Sequence, residues 1–279
     1  MSKRVLVTGK NSYIGDSFCN YATEYGYTVS VGDTVNDAYR EVDFSKYDAV
    51  VHVAAIVHQK ENAYTREECF AVNTQLAFDV AQKAKNEGVK QFVFLSTMSV
   101  YGKVAGVITK DTDTTPANLY GESKLKAEQM IEKLADENFT ITILRPPIVY
   151  GNGCKGNYVQ LSAFAKKFPV FPDFKSQRSM IYINNLSAFI KKAIDENLSG
   201  VFCPQDDEYV CPSDMVRIIA QCNNKKVRLT KVFNPMIKLC LKFNIGIFCK
   251  VFGDLVYDKS LCPDYKKTDF KTAVEESEK

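Results

Sequence analysis

Charge of one sign is what this chain most obviously lacks: 36 Lys and Arg face 33 Asp and Glu over 279 residues, a formal net charge of +3. The basic residues read as spread along the sequence, so the electrostatic footprint of a nucleic-acid binder is missing and nucleic acid is not an expected partner. Histidine is nearly absent, with only His52 and His58, and the nine cysteines are odd in number and form no C-x-x-C pair. These two shortages remove the usual ligand spacings of structural zinc, and no metal is expected. Scattered cysteines without a secretory leader read as reduced thiols. A strand that begins right after Met1-Ser2-Lys3-Arg4 leaves no room for a signal peptide, so a cytoplasmic protein is expected. Internal repeats, low-complexity tracts and unbroken apolar runs are missing too: the stretch 232–253 is interrupted by Lys238, Lys242 and Lys250 and cannot span a bilayer in the usual way. Met236, Leu239, Cys240, Phe243 and Ile247 recur there at helical spacing. A helix packed on its own domain is the simpler reading, and peripheral proximity to a membrane is the alternative.

What is present is alternation. Apolar, β-branched runs at 5–8, 28–31, 49–53, 92–96 and 141–144 are separated by stretches of helical period. Ile14, Phe18, Ala22 and Tyr25 share a face; so do Phe70, Leu76, Val80, Ala81 and Ala84 over 67–87, and Ala127, Met130, Ile131 and Leu134 over 121–137. Strand-helix units of this kind predict an α/β fold with a doubly wound parallel sheet, the Rossmann arrangement. After Tyr150 the texture turns to glycine, proline and shorter apolar runs. This divides the chain into a dinucleotide-binding domain over 1–150 and a smaller C-terminal substrate-binding lobe over 151–279, with a return to the first sheet around 178–204. The charged tail 272–279 reads as frayed.

The chemistry sits at strand ends. The stretch Val5-Leu6-Val7-Thr8-Gly9-Lys10-Asn11-Ser12-Tyr13-Ile14-Gly15 leaves the first strand and opens the first helix, where the free N–H groups of a helix start can meet a pyrophosphate and glycine lets backbone approach it. Ser12 stands where a third glycine would help, so the stretch alone reads equally as a turn. Asp33 closes the second strand 24 positions after Gly9, placed to accept both ribose hydroxyls and to repel a 2′-phosphate; this favours NAD over NADP. Asp43, followed by Phe44, could reach an adenine edge. In Tyr120-Gly121-Glu122-Ser123-Lys124 a phenol and an ammonium four apart share a helix face, so the cation can stabilise the phenolate and bring Tyr120 toward use as a base. Ser96, Thr97 and Ser99 offer hydroxyls just after a strand, one of which could hold the reacting oxygen.

Together these residues resemble the extended short-chain dehydrogenase/reductase superfamily, in its NAD-dependent epimerase/dehydratase branch. The T-G-x-x-G-x-I-G loop is matched over Thr8 to Gly15, the V-x-H-x-A-A strand end at Val51-His52-Val53-Ala54-Ala55, a helix asparagine at Asn73, and the Ser/Thr-rich stretch at Ser96 to Gly102. Leu144-Arg145-Pro146-Pro147-Ile148-Val149-Tyr150-Gly151 is similar to the segment that lies near the nicotinamide. Lys155-Gly156-Asn157-Tyr158 and the run from Gln177 to Ile183 are similar to segments that hold a nucleotide diphosphate. The resemblance implies Thr97, Tyr120 and Lys124 as catalytic residues. It implies cofactor contacts from Gly9, Asn11, Ser12, Tyr13, Ile14, Gly15, Asp33, Asp43, Phe44, Val53, Ala54, Ala55, Asn73, Ser96, Pro146 and Ile148, with Tyr120 and Lys124 again. Substrate contacts would come from His58, Thr97, Ser99, Asn157 and Arg178. The forms L-R-P-P-x-V-Y-G and K-G-N-Y look most like a bacterial UDP-glucose 4-epimerase-like subgroup associated with surface polysaccharide synthesis.

That resemblance implies an NAD-dependent 4-epimerase of a nucleotide-diphosphate sugar, a UDP-sugar or a related diphosphate-linked sugar, working as a homodimer. The alternative is an NAD(P)H-dependent 4-keto-sugar reductase, which would use the same three residues. A dehydratase is disfavoured because Met98 and Ser99 follow Thr97 where that activity has acidic residues, and a non-catalytic dinucleotide-binding protein because Thr97, Tyr120 and Lys124 are all present. Ile148 replaces an asparagine of many galactose epimerases, and no arginine-rich segment follows Arg228, which leaves the sugar and its carrier open.

Overall fold

The computed structural model describes residues 2–57 and 64–279, and the chain divides into two compact units. The first comprises Met1–Gly102, Asp113–Pro146 and Leu186–Pro204. Its centre is a six-stranded parallel sheet in the spatial order Thr28–Gly32, Arg4–Thr8, Ala49–His52, Gln91–Leu95, Thr140–Leu144, Gly200–Phe202. Ala49–His52 and Gln91–Leu95 are buried along their whole length, as expected of strands that read as continuous apolar runs rather than alternating ones. On one face Leu6, Val50, Phe92, Phe94, Ile141 and Ile143 pack with Ala77, Val80, Ala84, Ala127 and Ile131. From the first strand the chain steps out to Thr28–Gly32 and then back across to Ala49–His52. This reversal makes the carboxyl end of Arg4–Thr8 the topological switch point, where sheets of this class bind ligands.

Two helices differ from their expected form. The run 67–87 is three pieces, Arg66–Phe70, a π-turn over Ala71–Leu76, and Ala77–Asn86. The π-turn shifts the phase, so Cys69, Asn73 and Thr74 are buried where an uninterrupted helix would have carried the face through Phe70. The run 121–137 begins earlier, as Leu119–Ile131, because the Asn118 carboxamide caps it by accepting from Gly121 N at 2.8 Å; a 3-10 turn, Glu132–Leu134, then ends it.

The second unit comprises Lys103–Thr112, Pro147–Asn185 and Gln205–Lys279. Short parallel pairs join Ile148–Tyr150 to Met180–Tyr182, Val170–Pro172 to Arg228–Thr230, and Gly106–Ile108 to Leu255–Tyr257. Buried Asp206 accepts from Tyr150 Oη at 2.8 Å, Asn185 Nδ2 at 2.8 Å and Tyr182 N at 3.1 Å; these donors offset the burial that holds its carboxyl above the usual range. The tail is ordered as the helix Phe270–Ser277, against expectation. Asp269 caps it, Ala273 and Val274 are buried, and Glu278 beyond its end accepts from Tyr158 Oη at 2.7 Å and Asn223 Nδ2 at 3.0 Å. No helix of the described residues is long and apolar enough to cross a membrane.

Candidate active site

The loop after the first strand is built to keep side chains out. At Gly9, with φ +124°, a Cβ would lie 2.7 Å from Ala54 N and 3.0 Å from Val53 Cγ2; at Gly15 it would lie 3.0 Å from the same Val53 methyl. Val53 and Ala54 in turn donate their N–H groups to Thr8 O at 3.0 and 3.1 Å, so the two strand ends are tied beneath the loop. Asn11 takes the left-handed conformation, φ 60°, which asparagine tolerates better than most residues. Ser12 is the N-cap of the helix Tyr13–Glu24, its hydroxyl accepting from Gly15 N at 3.4 Å. One of the helix's free N–H groups is therefore satisfied by Ser12, and the sequence reading of this residue as a lost glycine missed that role.

Beside the loop, Gly9 N donates to Gly32 O at 3.2 Å, which sets Asp33 next to the glycine turn. One Asp33 oxygen accepts from Val35 N at 2.9 Å. Asp43 caps the turn Phe44–Lys46, bonds Ser45 and pairs with Lys46 at 3.2 Å; the Ser45 hydroxyl and Lys46 hold its carboxyl below the usual range. Phe44 is wholly in the core, and its N–H is taken by Glu87 Oε2 at 2.6 Å. Ala55 lies just past the third strand, half-buried, and His58 lies outside the described residues.

Thr97 and Tyr120 are brought together by a side-chain hydrogen bond. Thr97 also accepts from Ser99 N at 3.1 Å and donates to Ser99 Oγ at 3.2 Å, which fixes its rotamer at the start of the turn Met98–Tyr101. That turn is held from behind, Met98 N donating to Pro146 O at 3.0 Å. Burial pushes the Tyr120 phenol up to about 12, the bond with Thr97 pulling the other way. Lys124, four residues on, is fully buried. Its Nζ sits 4.0 Å from the centre of the Phe94 ring and has no hydrogen-bond partner among the described residues; burial draws it down to about 7, against the pull of Glu128. The expected tuning of Tyr120 by a neighbouring cation is thus not built by the protein alone, because the ammonium meets a ring and the more distant charge of Glu128 but no hydrogen-bond acceptor among the described residues. An outside acceptor at Nζ would complete it. His52, also buried, gives Nδ1 to a hydrogen bond with Thr8 Oγ1 at 2.8 Å and is kept neutral, drawn down to about 3 by burial and by Lys124.

Glu128 escaped the sequence reading altogether, and Asn73 and Ser96, named there as cofactor contacts, are engaged within the protein. Asn73 is clasped rather than free: its Oδ1 accepts from Ile56 N at 2.7 Å, and its Nδ2 donates to Ile56 O at 3.1 Å and Ser123 Oγ at 3.0 Å. Thr74 Oγ1 donates to Ser123 O at 2.7 Å. The π-turn thereby pins Ser123, between Tyr120 and Lys124, to the neighbouring helix. Glu128, one turn beyond Lys124, takes both ends of the Arg145 guanidinium, Nε at 3.1 Å and Nη2 at 2.5 Å, and the Ser96 hydroxyl; Arg145 Nη1 reaches Tyr101 Oη at 2.8 Å. Ser96 therefore spends its hydroxyl on Glu128. The i, i+4, i+8 spacing of Tyr120, Lys124 and Glu128 was the available signal.

In the second unit a cavity of about 510 Å³ is lined mainly by apolar side chains, among them Ile148, Phe164, Phe171, Met215 and Phe248, with Asn157 and Arg178 as polar members. Arg178 is 8 % exposed. Its Nη1 donates to Cys249 O at 3.0 Å and Gly253 O at 2.7 Å, at the end of the helix Gly246–Phe252, while Nε has no partner among the described residues. No carboxylate lies within ion-pair distance of it among the described residues; Asp254 favours its charge from further off, while burial works against it.

The glycine cradle and the lone buried ammonium fit a dinucleotide. Residues 5–202 match the model of the NAD dependent epimerase/dehydratase family. The chain is 30% identical over 281 residues to a UDP-glucose 4-epimerase of Vibrio cholerae, covering 91% of this chain and 83% of that one. It is 24% identical over 248 residues to an N-acetyl-alpha-D-glucosaminyl-diphospho-ditrans,octacis-undecaprenol 4-epimerase of Escherichia coli O157:H7, covering 81% and 74%. In fold it is similar to a UDP-glucuronic acid 4-epimerase from Bacillus cereus solved with NAD, with a TM-score of 0.73 at 19% identity over 99% of this chain and 97% of that one. It is also similar to a dTDP-4-dehydrorhamnose reductase from Bacillus anthracis solved with NADP, with a TM-score of 0.72 at 18% identity over 99% of each chain.

Proposed function

We propose that this chain, which belongs to the NAD dependent epimerase/dehydratase family, is a 4-epimerase of a diphosphate-linked sugar that works through a transient 4-keto sugar. Family membership makes it an NAD-dependent enzyme of the extended short-chain dehydrogenase/reductase type. The observation that carries the redox chemistry is on one helix, Leu119–Ile131: Tyr120 bonded to Thr97, and Lys124 buried with an unsatisfied Nζ one turn away; the preference for an epimerase over a reductase that would use the same residues rests on Asp33 and on the epimerase relatives.

NAD, when bound, supplies the hydride acceptor and donor for the sugar carbon. The chain's own residues move the proton and hold the oxygen. Tyr120 Oη takes the proton of the 4-hydroxyl, and the Thr97 hydroxyl, its rotamer fixed by Ser99, holds that oxygen. Ribose hydroxyls at its Nζ would let Lys124 keep its proton, and the retained charge would lower the Tyr120 phenol from its raised value. Gly9 and Gly15 would leave room for the pyrophosphate, and Asp33 would hold the adenosine ribose, which favours NAD that is recycled over NADPH that is consumed. Arg178 and Asn157 supply the second unit's polar contacts to a diphosphate. By their names the relatives act on UDP-glucose and on an undecaprenyl diphosphate sugar, so a UDP-sugar leads and a lipid diphosphate is the second carrier, in surface polysaccharide synthesis. A homodimer formed through helices including Leu119–Ile131 belongs to the same reading, and light scattering tests it.

The test is interconversion of UDP-glucose and UDP-galactose by the purified protein without added cofactor. Expected are bound NAD released on denaturation, turnover with no net NADH, and a fall in kcat of about 10²- to 10⁴-fold for Tyr120→Phe. One reduced cofactor consumed per sugar would make the chain a 4-keto-sugar reductase, and an unimpaired Tyr120→Phe would remove Tyr120 from the chemistry.

A further inference from the structure

The small net charge conceals an uneven distribution. Residues 225–253 contain seven basic residues, Lys225, Lys226, Arg228, Lys231, Lys238, Lys242 and Lys250, and no Asp or Glu, within a chain whose formal charge is +3. The even spread read from the sequence as a whole does not hold here. In the structure this segment forms the helices Asn234–Lys242 and Gly246–Phe252, and all seven basic residues are exposed.

The apolar stripe of the same segment does not pack inward. Ile237 is buried, but Met236, Leu239 and Phe243, spaced i, i+3, i+7, are 50%, 55% and 68% exposed, and Ile247 is 65% exposed. Val232, at 78%, extends the patch. The second unit's apolar cavity opens onto this face, since Phe233, Met236 and Ile247 both line the cavity and stand in the exposed patch. A ridge of large apolar side chains flanked by lysines, with a greasy slot at its edge, is costly to leave in water.

We propose that residues 225–253 form a docking face for an anionic phospholipid bilayer, with Met236, Leu239, Phe243 and Ile247 entering the interface and the flanking lysines meeting lipid phosphates. Charge decides among the occupants. Two copies meeting through this face would set seven like charges against seven, and an acidic soluble partner would answer the lysines but give no reason for the ridge. An anionic bilayer satisfies both, and with no membrane-crossing helix among the described residues the attachment is peripheral. Docking presents the mouth of the cavity to lipid and needs neither sugar nor cofactor, so it stands or falls apart from the epimerase reading.

The test is co-sedimentation of the full chain with vesicles of phosphatidylcholine, with and without phosphatidylglycerol. Expected are binding to the anionic vesicles that weakens as salt rises, and a loss of about tenfold or more in Leu239→Glu/Phe243→Glu and in Lys231→Gln/Lys238→Gln/Lys242→Gln. Both variants alter exposed residues outside the cavity, and both should keep the parent's melting temperature and its turnover of a soluble nucleotide sugar. No binding to anionic vesicles at low salt would overturn the proposal. So would a dimer that Leu239→Glu/Phe243→Glu converts to monomer, since the face would then belong to a second copy.

Discussion

Gly121 packs against the carbonyl of Ser99 so closely that a Cβ on it would lie 2.6 Å from that oxygen. Ser99 belongs to the turn that displays Thr97, and Gly121 to the helix that displays Tyr120 and Lys124. The approach of turn to helix is therefore set between two backbones, and the hydrogen bond from one hydroxyl to the other depends on it.

Gly121→Ala should lose both stability and rate. Forcing a methyl into that contact is overpacking, worth about 1–3 kcal/mol, and a shift of about 1 Å between Thr97 and Tyr120 is worth about 10² in kcat. Denaturant melts and steady-state kinetics on one preparation check both; an unchanged kcat would show that the contact does not set the catalytic spacing.

Lys124 makes the stability of the cofactor-free protein depend on pH in a definite direction. Its folded value, about 7, lies below the ordinary 10.5, so between these limits the unfolded chain holds more protons and stability rises with pH. Below about 7 both states are charged and the burial penalty is at its full size. Lys124→Met should therefore melt higher than the parent at pH 7, by a margin that shrinks toward pH 10. His52, drawn down to about 3, is neutral throughout this window and adds nothing to it. A margin that stays constant with pH would mean that the ammonium is not desolvated.

The Glu128–Arg145 pair predicts a non-additive pair of substitutions. Arg145→Met leaves the Glu128 carboxylate buried with the Ser96 hydroxyl as its hydrogen-bond partner and Lys124 as the neighbouring cation, and should cost about 3–5 kcal/mol, while Arg145→Met with Glu128→Leu should regain much of it. Urea denaturation of the three proteins decides the matter. Equal stability of the single and double variants would mean that the carboxylate finds water without its partner.

Ser12 separates capping from cofactor binding. Ser12→Ala should cost about 1 kcal/mol of stability and Ser12→Gly only a few tenths. NAD titration should show the glycine variant binding as tightly as the parent or more so; total loss of binding there would argue against the loop as the pyrophosphate site.

Five strands of the central sheet were legible because parallel strands are written as uninterrupted apolar, β-branched runs; the positions of Gly9 and Thr97 followed from strand ends, and those of Tyr120 and Lys124 from their i, i+4 spacing on a helix. What stayed illegible was tertiary. Phe70 and Leu76 were read on one face with Val80, yet the π-turn between them resets the phase, a feature set by the Asn73 clasp on Ile56 and Ser123 rather than by local pattern. Glu128 drew no reading from the sequence, because its partner Arg145 comes 17 residues later, just past the strand Thr140–Leu144. The tail 272–279 was judged by its charge, although Ala273, Val274 and Ser277 already marked a buried stripe. The lysine-flanked ridge at 232–253 was visible as a pattern, but its exposure depends on what the rest of the second unit leaves uncovered.

The π-turn over Ala71–Leu76 also bears on how this gene can change. One residue more than an α-helix needs is wound into that stretch, so deleting a single codon there would restore a regular helix and leave Arg66–Phe70 and Ala77–Asn86 roughly in their present phase. What would be lost is the widened turn that brings Asn73 and Thr74 together onto Ser123, and with it the tether of the helix bearing Tyr120, without any catalytic codon being touched. Substitutions along the outer face of this helix should be common among descendants of the sequence, whereas a change in its length by one should be rare.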